Sequence, residues 1–132
     1  MASAQWPEGN FVALKHYREL VCWQKGMDFA EYVHALTRKF LREEMFGLTS
    51  QLRRATVSVP SNIAEGQGRG GTKEFVQFLN VANGSLQEAE TQLILAGRFD
   101  YITSAELTEG LALASEIGKV NNGLIRSLMR RG

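Results

Sequence analysis

The sequence predicts an all-α protein, an antiparallel up-down-up-down four-helix bundle, from three features. Apolar residues recur at steps of three and four in four separate segments, the spacing that lines one face of a helix. No stretch alternates apolar and polar residues between turn signals, as a half-buried strand does. Only two prolines, Pro7 and Pro60, occur in 132 residues, so long runs lack the residue that breaks helices.

The first segment extends from about Val12 or Lys15 to Leu41, with Trp23, Met27, Ala30, Val33, Thr37 and Leu41 on one face. Thr49 is the expected N-cap of the second, whose stripe is Leu52, Ala55, Val59, Asn62 and Ile63. Pro60 removes the donor that would bond the Thr56 carbonyl, and because the stripe keeps its phase across it, a kink is expected rather than a restart. Gly66, Gly68, Gly70 and Gly71 then break the chain. The third helix starts near Thr72 and carries Phe75, Phe78, Ala82, Leu86, Ala89, Leu93 and Ala96. Thr103 and Glu106 form a capping box at the fourth start, with Ile102 and Leu107 in the flanking staple positions. Its inner stripe reads Leu107, Leu111, Ala114, Gly118, Asn121, Ile125 and Leu128. Short connections around Gly47, Gly66 to Gly71 and Asp100 to Ile102 favour antiparallel neighbours. Further apolar residues, Phe29, Tyr32 and Leu36 on the first helix and Leu113, Ile117, Val120 and Leu124 on the last, fit either a wide core stripe or contacts between copies.

Length bounds the chain to a flexible N-terminal segment, residues 1–11, and one domain over residues 12–132. A net charge of +1 gives no global pull toward polyanions, so any nucleic-acid site is local. Cys22, the one cysteine, cannot form an internal disulfide. With no secretory leader pattern and no apolar run long enough for a bilayer, a cytoplasmic protein without membrane contact is expected.

The residues that carry chemistry are sparse. Glu31-Tyr32-Val33-His34 spells one Glu-x-x-His unit, but a di-metal bundle site needs a second copy and two further inward glutamates. Neither histidine completes a recognisable nucleophilic triad with Cys22, and the Gly66 to Gly71 cluster follows no strand, unlike a nucleotide-binding loop. No catalytic residue, metal or cofactor is assigned, and no enzyme is expected. Asn62 and Asn121 fall on core stripes, where a buried amide needs a partner; Asn62 is a candidate for the carbonyl freed by Pro60, and Glu90 for a pair with Arg53, Arg54 or a polar group across the bundle. Basic residues gather as Arg38, Lys39 and Arg42, as Arg53 and Arg54, as Arg69 and Lys73, and as Arg126, Arg130 and Arg131.

The run Glu44-Met45-Phe46-Gly47-Leu48-Thr49-Ser50-Gln51-Leu52-Arg53-Arg54-Ala55, continued by Ser58-Val59-Pro60-Ser61-Asn62-Ile63-Ala64-Glu65-Gly66, Gly68-Arg69 and then Lys73-Glu74-Phe75, Phe78-Leu79, Ala82, Gly84-Ser85-Leu86, Glu88 and Glu90-Thr91-Gln92, resembles a known family. It is similar to the bacterial four-helix bundle proteins encoded in intervening sequences of large-subunit (23S) ribosomal RNA genes, over roughly Leu20 to Leu128. The resemblance implies a ring-like homopentamer with no enzymatic activity. It also implies a remote similarity to accessory variability proteins of diversity-generating retroelements, which bind nucleic acid and a reverse transcriptase. Arg53, Arg54, Asn62, Glu65, Arg69, Glu88 and Glu90 match the family's polar positions.

The functional expectation is an oligomeric bundle that binds RNA or DNA phosphates through Arg53, Arg54, Arg69 and Lys73, with Asn62, Glu65, Glu88, Glu90 and Asn121 as structural polar positions. The competing expectation is a protein-interaction scaffold or accessory subunit, for example for a reverse transcriptase, without direct nucleic-acid contact.

Overall fold

The computed structural model describes residues 16–131; the expected N-terminal segment 1–11 and helix start at Val12 to Lys15 lie outside them. Four helices carry the fold: α1 (Val21–Thr37), α2 (Leu48–Gly68), α3 (Thr72–Arg98) and α4 (Ser104–Arg131), with 3-10 turns at Tyr17–Glu19 and Arg42–Glu44. There is no strand among the described residues.

Contacts between neighbouring helices run in opposite order along the chain. Gly26 lies against Pro60 while His34 and Thr37 meet Arg53. Ser58 pairs with Ser85 and Gln51 with Gln92, Asn121 reaches Asn83 while Gly110 faces Leu93, and Lys25 pairs with Glu116 while Tyr32 meets Glu106. Each helix therefore runs antiparallel to both neighbours, and α4 closes back on α1. One end of the bundle holds the α1–α2 and α3–α4 connections; the other holds the glycine turn between α2 and α3 and the last turns of α4.

Within the described residues α1 is shorter at both ends than its periodicity predicts. Leu20 is extended (φ −78°, ψ 130°) and fully buried, so the chain turns into the core before the helix begins. Beyond Thr37 the chain bends so that Phe40 is buried, its ring 5.2 Å from that of Tyr101. The buried face is also rotated from the expected one: Cys22, Gly26, Phe29, Val33, Leu36 and Thr37 point inward, while Met27 and Leu41 are exposed. In α4 the buried line is Gly110, Ala114, Ile117, Asn121, Leu124 and Leu128. Much of the extra apolar surface is thus core, with Tyr32, Leu113 and Val120 packed half-buried at its edge.

Helix α2 is continuous through Pro60, which is buried. A Cβ on Gly26 would stand only 3.4 Å from Pro60 Cδ. The expected N-cap is displaced: the helix starts at Leu48, whose N–H donates to Glu44 Oε1 at 3.0 Å. Thr49 lies two residues past the N-cap position, Gly47, and is buried, its hydroxyl without a partner. Helix α3 follows its expected stripe closely, with Leu79 fully buried and Phe78 half-buried.

The capping box at α4 forms as the sequence predicts. Thr103 N–H donates to Glu106 Oε1 at 2.9 Å, Glu106 N–H donates to Thr103 Oγ1 at 3.1 Å, and Ile102 and Leu107 both join the core. Thr103→Ala is expected to destabilise the fold by about 1 kcal/mol, read as a lower urea midpoint with unchanged slope.

Candidate nucleic-acid interface

The four expected contact residues do not form one patch. Arg54 lies early in α2 and Arg69 caps its far end, so about 22 Å of helix axis separates them. Arg53 and Arg54 belong to the end with the α1–α2 connection; Arg69 and Lys73 belong to the glycine-turn end.

Adjacent in sequence, Arg53 and Arg54 have different environments. Arg53 is half-buried; its Nε donates to Thr37 Oγ1 at 2.8 Å and its Nη2 to the His34 carbonyl at 3.4 Å. It therefore ties the last turn of α1 to α2. Arg54, one position round the helix, is exposed, and no hydrogen bond, ion pair or ring contact engages its guanidinium among the described residues. Arg38, Arg42 and Arg98 at the same end are likewise exposed with unengaged guanidiniums. Lys39 is neutralised, its Nζ donating to Glu106 Oε1 at 2.6 Å. Glu43, Asp100 and Glu109 are exposed acids here, with exposed Glu88 on the α2 side of α3 near the level of Arg54, and Asp100 holds the turn after α3 at φ 63°.

At the other end Arg69 pairs with Glu65 at 2.7 Å and lies over the Phe78 ring at 5.1 Å. Lys73, Arg126 and Arg130 are exposed nearby in the fold, and Arg130 reaches Ser127 Oγ at 3.4 Å. Sequence reasoning missed that Arg38, Arg42 and Arg98 lie at the same end of the bundle as Arg54. Their placement depends on where α1 stops and α3 ends, and the only signal was the basic residues near two predicted helix ends.

The expected structural polar positions take varied roles. Asn121 is fully buried and its Nδ2 donates to Asn83 Oδ1 at 2.9 Å, while Asn83 Nδ2 donates to Asn122 Oδ1 at 2.9 Å. Asn62 is half-buried and does not serve the Thr56 carbonyl: it donates to the carbonyl and hydroxyl of Ser58, both at 2.8 Å, and Ser58 Oγ bonds Ser85 Oγ across to α3 at 2.8 Å. Glu90 does not meet Arg53 or Arg54. It lines a polar cleft of about 450 Å³ between α3 and α4 with Asn80, Asn83, Gln87 and Asn122, because two residues on from Glu88 turns a side chain about 200° round the helix. Glu88 is the residue on the α2 side, its Oε2 accepting from Gln92 Nε2 at 3.5 Å while the same amide reaches Gln51 on α2.

Glu31 and His34 are exposed on α1, and no three His, Cys, Asp or Glu side chains converge among the described residues. Burial pushes the Cys22 thiol up to about 12, far from the thiolate form a nucleophile needs. No helix among the described residues is long and apolar enough to cross a membrane.

Two carboxylates hold the α1–α2 end together. The Leu48 N–H and then the Tyr101 hydroxyl, which donates to Oε2 at 2.8 Å, keep Glu44 below the ordinary carboxylate range. Lys39 first, and then the Thr103 N–H, do the same for Glu106. A carboxylate whose pKa is lower in the folded than in the unfolded chain stabilises the fold above its unfolded pKa, and that contribution is lost as pH falls through the folded value. Thermal midpoints followed by circular dichroism are therefore expected to fall below about pH 4.3. The double variant Glu44→Gln, Glu106→Gln should show a shallower fall; an unchanged slope would remove these two groups as its cause.

Comparison with curated proteins found none that matches. Among solved structures, a protein of unknown function from the S23 ribosomal protein family of Bacteroides thetaiotaomicron is similar at 27% identity and a TM-score of 0.74, over 80% of this chain and 98% of that one. The family model described as 23S rRNA-intervening sequence protein matches residues 18–123, and on that match, with the four helices and signature residues described above, the chain belongs to this family.

Proposed function

We propose that this protein is a non-enzymatic, oligomeric nucleic-acid-binding bundle whose phosphate contacts come from the end holding the α1–α2 connection. The observation that carries this reading is that Arg38, Arg42, Arg54 and Arg98 are each exposed at this end of the bundle, with no partner engaging their guanidiniums among the described residues. A guanidinium fork matches a phosphate in both charge and shape. Arg53, by tying α1 to α2, fixes Arg38 and Arg54 relative to each other, which lowers the entropy lost on binding. The family's name, which ties it to ribosomal RNA genes, agrees with RNA as the ligand class.

One copy with a net charge of +1 offers a modest patch, and a ring of copies multiplies it by presenting several patches to one strand. Val57 on α2 and Val81 on α3 are exposed on outward faces and supply apolar surface for contact between copies; the family resemblance implies five of them.

The test is fluorescence anisotropy with a structured ribosomal RNA fragment and a DNA duplex of equal length at two salt concentrations, alongside mass by light scattering. Binding by an oligomer that weakens steeply with salt supports phosphate contact. An intact oligomer that binds neither nucleic acid at low salt overturns the proposal and leaves the scaffold or accessory-subunit reading, a reverse transcriptase included.

A further inference from the structure

We propose that Phe46 is a stacking platform for unpaired nucleobases, so that the protein selects single-stranded or looped nucleic acid over duplex. This deepens the nucleic-acid reading above and rests on it.

Phe46 is 93% exposed, the most exposed of the large apolar side chains among the described residues. A phenyl ring gains by leaving water, so a ring held outward asks for a cause. The turn that carries it is pinned on several sides. Met45 N–H donates to the Arg42 carbonyl at 3.0 Å and Gly47 N–H to the Glu44 carbonyl at 2.9 Å. Below the turn, the two Glu44 carboxylate oxygens accept from Leu48 N–H at 3.0 Å and from the Tyr101 hydroxyl at 2.8 Å. Tyr101 is itself packed against the rings of Phe40 and Phe99, at centroid distances of 5.2 and 5.6 Å. The backbone on both sides of Phe46 is therefore held by hydrogen bonds, and the residue projects from an anchored turn. Such preorganisation is what a binding side chain needs and a solvent-exposed loop residue does not.

The surroundings indicate the occupant. Arg42 belongs to the same turn, and Arg38, Arg54 and Arg98 lie at the same end of the bundle with unengaged guanidiniums. A partner that satisfies both features must bring a flat, weakly polar face together with closely spaced negative charge. An unpaired nucleotide has both, its base on the ring and its phosphate on a guanidinium. In a duplex the base faces are already stacked on each other, so only the phosphates remain available.

The experiment uses the full chain with a labelled unpaired RNA oligonucleotide of roughly twelve nucleotides, and with a hairpin duplex of matched length, for the wild type, Phe46→Ala and Phe46→Trp. Phe46→Ala removes a ring that packs on little, so folding should be unaffected. The expected result is a wild-type preference for the unpaired strand, a loss of about tenfold in that affinity for Phe46→Ala, recovery in Phe46→Trp, and unchanged duplex binding and mass. Equal wild-type affinity for both strands, or unpaired binding indifferent to Phe46→Ala, overturns the stacking role while leaving phosphate binding intact. A drop in mass for Phe46→Ala overturns it by making the ring a contact between copies. Wild-type binding to neither nucleic acid overturns the underlying reading and this inference with it.

Discussion

Gly66→Ala is expected to destabilise the fold by about 1–3 kcal/mol, lowering the thermal midpoint by roughly 3–10 °C. A Cβ at this position would stand 2.6 Å from Phe78 Cβ, 3.2 Å from Phe75 Cδ1 and 3.4 Å from the Phe75 carbonyl. Phe78 Cβ is bound directly to the α3 backbone, so no side-chain rotation relieves the overlap and the two helices must separate. Separation loosens the packing of buried Ile63, Phe75 and Leu79, and that loss outweighs the roughly 1 kcal/mol alanine gains over glycine within a helix. Gly84→Ala is the control: apart from its chain neighbours and its own helix backbone, no atom lies within 4 Å of the added Cβ, so only the helix preference acts and stability should rise by up to about 1 kcal/mol. If urea denaturation shows both substitutions to be stabilising, close approach of α2 and α3 is not what requires glycine at position 66.

The second large effect separates two neighbouring arginines. Arg54→Glu is expected to weaken nucleic-acid binding by about tenfold at moderate salt and to reduce the salt slope by about one for each phosphate no longer neutralised, with the melting temperature unchanged. Arg53→Ala should act mainly on the fold, with a loss of about 1–2 kcal/mol of stability and a smaller loss of binding than Arg54→Glu, since Arg53 only positions Arg38 and Arg54. Its guanidinium bonds Thr37 Oγ1 and the His34 carbonyl, and removing those bonds frees the last turn of α1. Paired measurements of anisotropy and thermal denaturation on both variants decide the matter. Binding lost equally in both, with equal loss of stability, would place Arg54 in the scaffold and remove the free-guanidinium argument.

Some features of the fold were legible because their causes are local. The capping box of Thr103 and Glu106 involves residues three apart, so neither the helix start nor its hydrogen bonds depend on distant parts of the chain. The α3 stripe was legible because its apolar residues occupy one narrow line. The faces of α1 and α4 were harder to read, since apolar residues cover too much of each circumference for periodicity to select a centre. In α1 the choice falls on the face where Gly26 lets Pro60 and Val59 approach, and those neighbours belong to a different helix. Likewise, Glu44 displaced Thr49 as the cap of α2 because a folded turn brings its carboxylate onto the Leu48 N–H.

The candidate site divides in the same way. Arg53, Arg54, Arg69 and Lys73 could be named from basic residue type and family pattern, yet neither distinguishes a strut from a free guanidinium, and neither reveals that the two pairs lie at opposite ends. By itself the sequence determined the helical class, the four segments, the α4 cap and the family, because periodicity, capping and signature residues act over short spans of chain. Only the tertiary structure decided which face of α1 is buried, that Arg53 is occupied while Arg54 is free, and that Phe46 is exposed on an anchored turn. Those outcomes depend on which distant residues meet, and helix packing alone brings them together.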